Sequence, residues 1–281
     1  MNIRGVFIEE TFAEAFTMRV ARLIVTGRSM RWAREAALKL TGFATSVIGC
    51  KCEAGIEREV PEAETPDGRP GISILFMVMS KDDMGKRLIE RVGQTVLTCP
   101  TTACYDGLPA APDRVGVGSA LRFFGDGFQA SKLIGSERFW RIPVMEGEFL
   151  VQEKFGMVKG VGGGNFLILA RSADAALAAA EAAADAIAGH PGVILPFPGG
   201  VVRSGSKVGS RRIKSMIAST SYDDGTLGQL GWRERRPGTR EHRRKIGGLR
   251  RGSHPGDETA HAAGPAMIFR RWKWWGPSLP P

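Results

Sequence analysis

Histidine is scarce in this chain. Only four occur in 281 residues, and within the first 220 there is one, His190. It stands just before Pro191, where a helix is expected to end, so a capping or solvated role suits it better than proton transfer. Ser-His-Asp and Cys-His arrangements, which need an imidazole beside the nucleophile, are therefore disfavoured. Cysteine is also sparse. Cys50 and Cys52 form a C-x-C pair and Cys99 and Cys104 stand five apart. Neither spacing is that of a structural zinc site, so reduced thiols and no metal are expected. No apolar run approaches the length of a transmembrane helix, and "MNIRGVFIEE" lacks the basic, apolar and cleavage regions of a secretory signal. A cytoplasmic protein without a membrane partner is the expectation. There is no dinucleotide fingerprint, and G-x-x-x-x-G-S-K at 200–207 misses the phosphate-binding loop because Ser follows the second glycine.

An apolar fraction of 43% is enough for a sizeable core, and the length suits one large domain or two ordinary ones. The net charge of +10 is unevenly spread. Residues 221–281 hold twelve Lys and Arg against six Asp and Glu, leaving the first 220 residues at about +4. Overall basicity is thus no argument for nucleic-acid binding by the body of the protein. Only the tail, with "REHRRK" (240–245) and its Trp-rich end, supports such a reading, and no nucleic-acid partner is expected.

Hydrophobic periodicity gives an α+β order. A strand is predicted at 16–26, a helix at 29–40 with Ser29 as cap, and a second strand at 43–50. A loop over 53–70 leads to a buried strand at 72–79, a helix at 82–97 and a last strand at 119–124. This is the β-α-β-β-α-β arrangement of a ferredoxin-like sandwich. After a connecting region at 125–147 the pattern begins again, with a strand at 165–172, an Ala-rich helix at 173–189 and a strand at 192–197. It is then left half-built. Two lobes are expected, 1–144 and 145–220, the second incomplete.

Three Gly-rich stretches are candidates for chemistry: 123–129, 160–166 and 196–210. Such stretches serve as turns, or they expose backbone N–H groups to an anionic ligand, here with Arg203 and Lys207. Asp126, between glycines, is either a turn residue or a site carboxylate. Glu146 and Glu148 read as rim or turn acids, and Trp32 and Trp140 as packing residues.

The residues then resemble a known family. "GVFIEETFAEAF" (5–16), "TGFATSVIGCKCEAGIE" (41–57), "ETPDGRPGISI" (64–74), "LRFFGDGFQ" (121–129), "RIPVMEGEFLVQE" (141–153), "GVGGGNFLILA" (160–170) and "PFPGGVVRSGSKVGS" (196–210) run collinearly. Together they resemble formylmethanofuran–tetrahydromethanopterin formyltransferase over about residues 1–220. The resemblance implies two lobes with ferredoxin-like cores and a homo-oligomer, typically a tetramer, with its cleft at a subunit interface. It allows a place in a larger formyltransferase/hydrolase complex. The implied reaction moves a formyl group between 5-formyltetrahydromethanopterin and methanofuran, the two carriers being substrates and no cofactor being covalently bound. An amine attacks the formyl carbon, and N–H donors meet the tetrahedral oxyanion. The substrate-binding residues implied are Phe123, Phe124, Asp126, Gly162, Gly163, Asn165, Phe197, Gly199, Gly200, Arg203, Ser204 and Lys207. The three phenylalanines would wall the pterin, and Arg203 and Lys207 would meet carboxylate or phosphate tails.

In the family an acidic residue of the transfer site comes from the C-terminal part. No segment after Thr220 matches that part, so no catalytic acid is carried over. A catalytically inactive scaffold subunit is the alternative this leaves open. The tail, 221–281, is expected to be disordered or shifted in frame. "WKWWG" (272–276) must be encoded TGG-AAR-TGG-TGG-GGN. Read one base later, it gives Gly-Asn-Gly-Gly or Gly-Ser-Gly-Gly, similar to the family's ending.

Overall fold

The computed structural model describes residues 2–8, 15–168, 170, 172–203 and 267–271. In chain order the strands and helices are β1 (Asn2–Ile3), β2 (Val6–Phe7), β3 (Phe16–Thr26), α1 (Met30–Thr41), α2 (Val47–Cys50), β4 (Glu53–Val60) and β5 (Gly71–Val78). Then come α3 (Lys81–Arg91), β6 (Ala103–Asp106), β7 (Asp113–Gly116), α4 (Gly118–Leu121), β8 (Ala130–Ile134), β9 (Glu137–Val144), β10 (Gly147–Gln152) and β11 (Lys154–Gly162). The last are β12 (Gly164–Ile168), α5 (Ala173–Ile187), β13 (Val201–Arg203) and β14 (Met267–Arg271).

The chain divides into two compact units. One contains residues 14–166, 181–201 and 269–281, and the other residues 1–13, 167–180 and 202–268. The first unit carries a nine-stranded sheet in the order β4-β5-β3-β6-β10-β9-β8, with β11 pairing β3 and β7. Its first four strands, with α1 and α3 as crossovers, have the order of a ferredoxin-like sandwich, and all their pairs are antiparallel. The β10–β6 pair is parallel, which makes the sheet mixed. The described part of the second unit includes the β1–β2 ribbon, in which Asn2 pairs Phe7. Strands β12, β14 and β13 form a three-stranded sheet in that order. The rest of the tail expected to be disordered or shifted in frame lies outside the described residues.

Local chemistry explains the main elements. Helix α1 buries Ala33, Ala36, Ala37 and Leu40, a spacing that lines one helical face. Helix α3 starts at Ser80, whose hydroxyl accepts from the Asp83 amide at 3.1 Å and donates to its carboxylate. Asp82 and Asp83 in the first turn and Arg91 in the last complement the helix dipole. All eight residues of β5 are buried, as befits a strand covered on both faces.

Four sequence expectations are corrected. The second strand is not 43–50. Ser46 accepts from the Ile48 amide and starts the short helix α2, and the strand is β4, within the expected loop. Charges disguised β4, because Glu53 and Glu57 are buried in it. The fourth strand is not 119–124. That stretch is α4 followed by a 3-10 turn, and the sheet is completed by the four-residue β6, too short to show a period. Residues 130–134 and 137–144, expected as connection, form the β8–β9 hairpin. Residues 192–197 are not a strand. They run irregularly, with Ile194 packed on Met18, Val20, Leu75 and Met77.

Candidate functional site

The stretch 122–128 is a tight double turn set against β9. A 3-10 turn spans Arg122–Gly125 and stops at Asp126, whose backbone is left-handed (φ 47°) and whose amide donates to the Phe123 carbonyl at 3.2 Å. Phe128 N–H then donates to the Gly125 carbonyl at 2.8 Å. A Cβ on Gly125 would stand 2.7 Å from the Gln129 Cβ, so the turn needs a glycine there. The chain reversal leaves Phe123, Phe124 and Phe128 exposed. Beside them the Arg122 guanidinium lies over two rings, 4.8 Å from the centroid of Phe123 and 5.0 Å from that of Trp140.

Gly162, Gly163 and Asn165 sit where β11 passes into β12. Gly162 pairs with Phe16, and Gly163 makes the turn with φ 94°. Both glycines are buried, and Asn165 lies in β12. Phe197, Gly199 and Gly200 form the turn into β13. Phe197 is extended and half-buried, and the two glycines are left-handed. A Cβ on Gly200 would stand 2.6 Å from the Leu195 Cδ1. Arg203 ends β13. Ser204 and Lys207 lie outside the described residues.

The predicted residues thus fall into three local groups. The Phe123–Asp126 group rests on the helix-covered cluster that contains Leu121, and a Cβ on Gly93 would touch both Leu121 and Phe124. The other two groups flank the opposite face of the sheet. Val158, four residues before Gly162, packs there with Ile194, three residues before Phe197.

Sequence reasoning missed what holds these groups. Glu57 anchors the segment leading to Phe197. Its carboxylate accepts from Gly192 N–H at 2.6 Å, from Ser73 Oγ at 2.7 Å and from the Arg22 guanidinium at 2.7 and 2.8 Å. A second network, which touches none of the three groups among the described residues, surrounds Asp67, which accepts from Thr26 Oγ1 at 2.7 Å, Tyr105 Oη at 2.9 Å and Arg69 Nε at 2.8 Å. Burial alone would raise the Asp67 carboxyl. The hydrogen bonds from Thr26, Arg69 and Tyr105, with the Arg69 charge, outweigh it and hold the group below the usual range. Arg122 was also passed over, although an arginine preceding two phenylalanines was visible. The expected rim acids take structural partners: Glu146 accepts from the Thr101 amide, and Glu148 pairs with Arg141. Among the described residues no helix is long and apolar enough to cross a membrane.

The family model for formylmethanofuran-tetrahydromethanopterin formyltransferase matches residues 1–144, and that for the proximal lobe of the same enzyme matches 147–225. A formylmethanofuran–tetrahydromethanopterin formyltransferase of Methylococcus capsulatus is 60% identical over 221 residues, covering 79% of this chain and 74% of the relative. The enzyme of that name from Archaeoglobus fulgidus is 49% identical with the same coverage. Among solved structures, the formyltransferase of Methanosarcina barkeri superposes with a TM-score of 0.77 at 39% identity, over 98% of this chain and 85% of that one. A chain of the formyltransferase/hydrolase complex from Methylorubrum extorquens, solved with methylofuran, gives 0.79 at 41% identity, over 97% and 82%.

Proposed function

The chain belongs to the formylmethanofuran–tetrahydromethanopterin formyltransferase family, and from that premise we propose that it moves a formyl group between 5-formyltetrahydromethanopterin and methanofuran. The observation that carries this reading is the 60% identity to a formyltransferase over 221 residues, with both lobe models matched in sequence order.

The chemistry asks little of side-chain nucleophiles. The free amine of one carrier attacks the formyl carbon held by the other. The carbonyl oxygen takes the negative charge, the attacking nitrogen gives up a proton and the first nitrogen gains one, and the tetrahedral centre collapses by expelling that first nitrogen as the neutral amine. Fixed N–H donors favour that oxyanion. The turns at Gly162–Gly163 and Gly199–Gly200 are our candidates for the backbone that approaches the reacting group, with Asn165 beside the first. Phe197, on the opposite face of the sheet from Phe123 and Phe124, would stand beside the Gly199–Gly200 turn, and Phe123 and Phe124 would receive the flat pterin. Asp126 would accept from its N–H groups, and Arg203, Ser204 and Lys207 would meet the anionic tails. The protein acts in the cytoplasm as a homotetramer, or as the formyltransferase subunit of a larger complex. The second setting is favoured by the likeness to a chain of a formyltransferase/hydrolase complex.

Purified full-length protein, supplied with the two carriers and no other cofactor, tests the reading. Transfer that persists in EDTA is expected. Binding of both carriers without any transfer would favour the scaffold role, and loss of transfer in EDTA with recovery on zinc would overturn direct transfer.

A further inference from the structure

Arg122 differs from the other partly buried arginines. Arg22, Arg69, Arg91 and Arg114 each donate to carboxylate or carbonyl oxygens. Among the described residues no oxygen accepts a hydrogen bond from Arg122, although its guanidinium lies over the rings of Phe123 and Trp140, at 4.8 and 5.0 Å from their centroids. The two rings hold the guanidinium by cation–π contact, and none of its N–H groups is spent on an oxygen among the described residues. Such a group is oriented in advance and is chemically suited to a carboxylate or phosphate. The indole Nε1 of Trp140, one of those two rings, is buried without an acceptor among the described residues. Around this contact Phe123, Phe124 and Phe128 are 69%, 56% and 81% exposed. Three exposed rings beside one unspent cation form a surface with two demands, a flat apolar body and an oxyanion.

We infer that Arg122 is the anion-binding residue of a subsite for an aromatic ring that carries a carboxylate or phosphate, with Phe124 and Phe128 receiving the ring. The inference rests on the transfer reading for the identity of the carrier, but its test does not require turnover. The two π contacts fix the guanidinium before the ligand arrives, so little side-chain freedom is lost on binding. Lysine keeps the charge but cannot present the planar fork, and glutamine keeps a donor without the charge.

Titration calorimetry on the full chain, with benzoate, phenyl phosphate and benzyl alcohol as probes, tests this. In wild type both anions bind at least tenfold more tightly than the alcohol. Arg122→Gln weakens anion binding about tenfold and leaves the alcohol unchanged, while Arg122→Lys weakens it several-fold. A larger loss for phenyl phosphate assigns the subsite to a phosphate-bearing carrier, and a larger loss for benzoate to a carboxylate-bearing one. If Arg122→Gln does not fold, as judged by its melting temperature, the lysine variant carries the test. Anion affinities unchanged in the variants, or an equal loss for the alcohol, would overturn the inference. A chain that binds the anions through Arg122 yet transfers no formyl group would sink the transfer reading and leave this one standing.

Discussion

The two faces of the large sheet are held by different forces. On one face α1 and α3 cover an extended apolar cluster containing Leu23, Ile72, Phe76, Leu88 and Val151. On the other a small cluster of Met18, Val20, Leu75, Met77 and Ile194 lies beside a buried ion pair, with side chains of Arg22 and Glu57 only 14% and 2% exposed. The contrast follows from strand alternation: in β3, Leu23 points to the helices and Arg22 away from them. Hydrophobic burial is non-directional and suits a face that only has to be covered. The Glu57 carboxylate is directional. It takes the Gly192 amide as its fourth hydrogen bond and so fixes where the chain runs toward Phe197 and the Gly199–Gly200 turn. The first face supplies stability in bulk, and the second positions a candidate site.

The largest expected effect is on the helix-covered face. Phe76→Ala removes a fully buried ring from the cluster and should cost about 3–5 kcal/mol in denaturant unfolding, as cavity-forming substitutions do. It should weaken the sheet without changing carrier affinity in protein that remains folded.

Glu57→Ala should cost about 3 kcal/mol, because it strands the buried Arg22 guanidinium. Its signature differs: amide exchange should accelerate selectively over 192–200. Replacing Arg22 and Glu57 together by Met and Leu should recover most of the stability but not the slow exchange at Gly192. Exchange at Gly192 as slow in the double variant as in wild type would show that packing, not the carboxylate, places this segment.

Asp67→Asn should cost less, about 1–3 kcal/mol, from weakened hydrogen bonds to Thr26, Arg69 and Tyr105. Because the native state holds this carboxyl below its ordinary range, its contribution is present above the unfolded value. It is lost as pH falls through the lower native one. The stability difference between wild type and variant should therefore be full at pH 6 and shrink below about pH 4. A difference that grew on acidification would contradict the assignment.

What could be read from sequence follows the same division. Strand β3, helix α1 and strand β5 announce themselves by alternation, by the Ala33–Leu40 spacing or by an unbroken apolar run. Strand β4 does not, because its buried glutamates are intelligible only once Arg22, Ser73 and Gly192 are known to meet one of them. Strand β6 is too short for a period, and "VILPF" (193–197) is apolar because Ile194 packs on a sheet face rather than joining an edge. At the candidate site the glycine turns were legible, since left-handed backbone at Gly163, Gly199 and Gly200 selects that residue. The role of Arg122 was not, because its contact with Trp140 joins residues eighteen positions apart through the β8–β9 hairpin.

Direct attack of one carrier's amine on the other's formyl group is tested most directly by isotope transfer. Full-length protein is given 5-formyltetrahydromethanopterin labelled with carbon-13 in the formyl group, together with methanofuran, in oxygen-18 water. The account predicts that the labelled carbon arrives on the methanofuran nitrogen with its original oxygen, because the oxyanion collapses without exchange. Arrival with oxygen-18, or release of labelled formate ahead of formylmethanofuran, would contradict it.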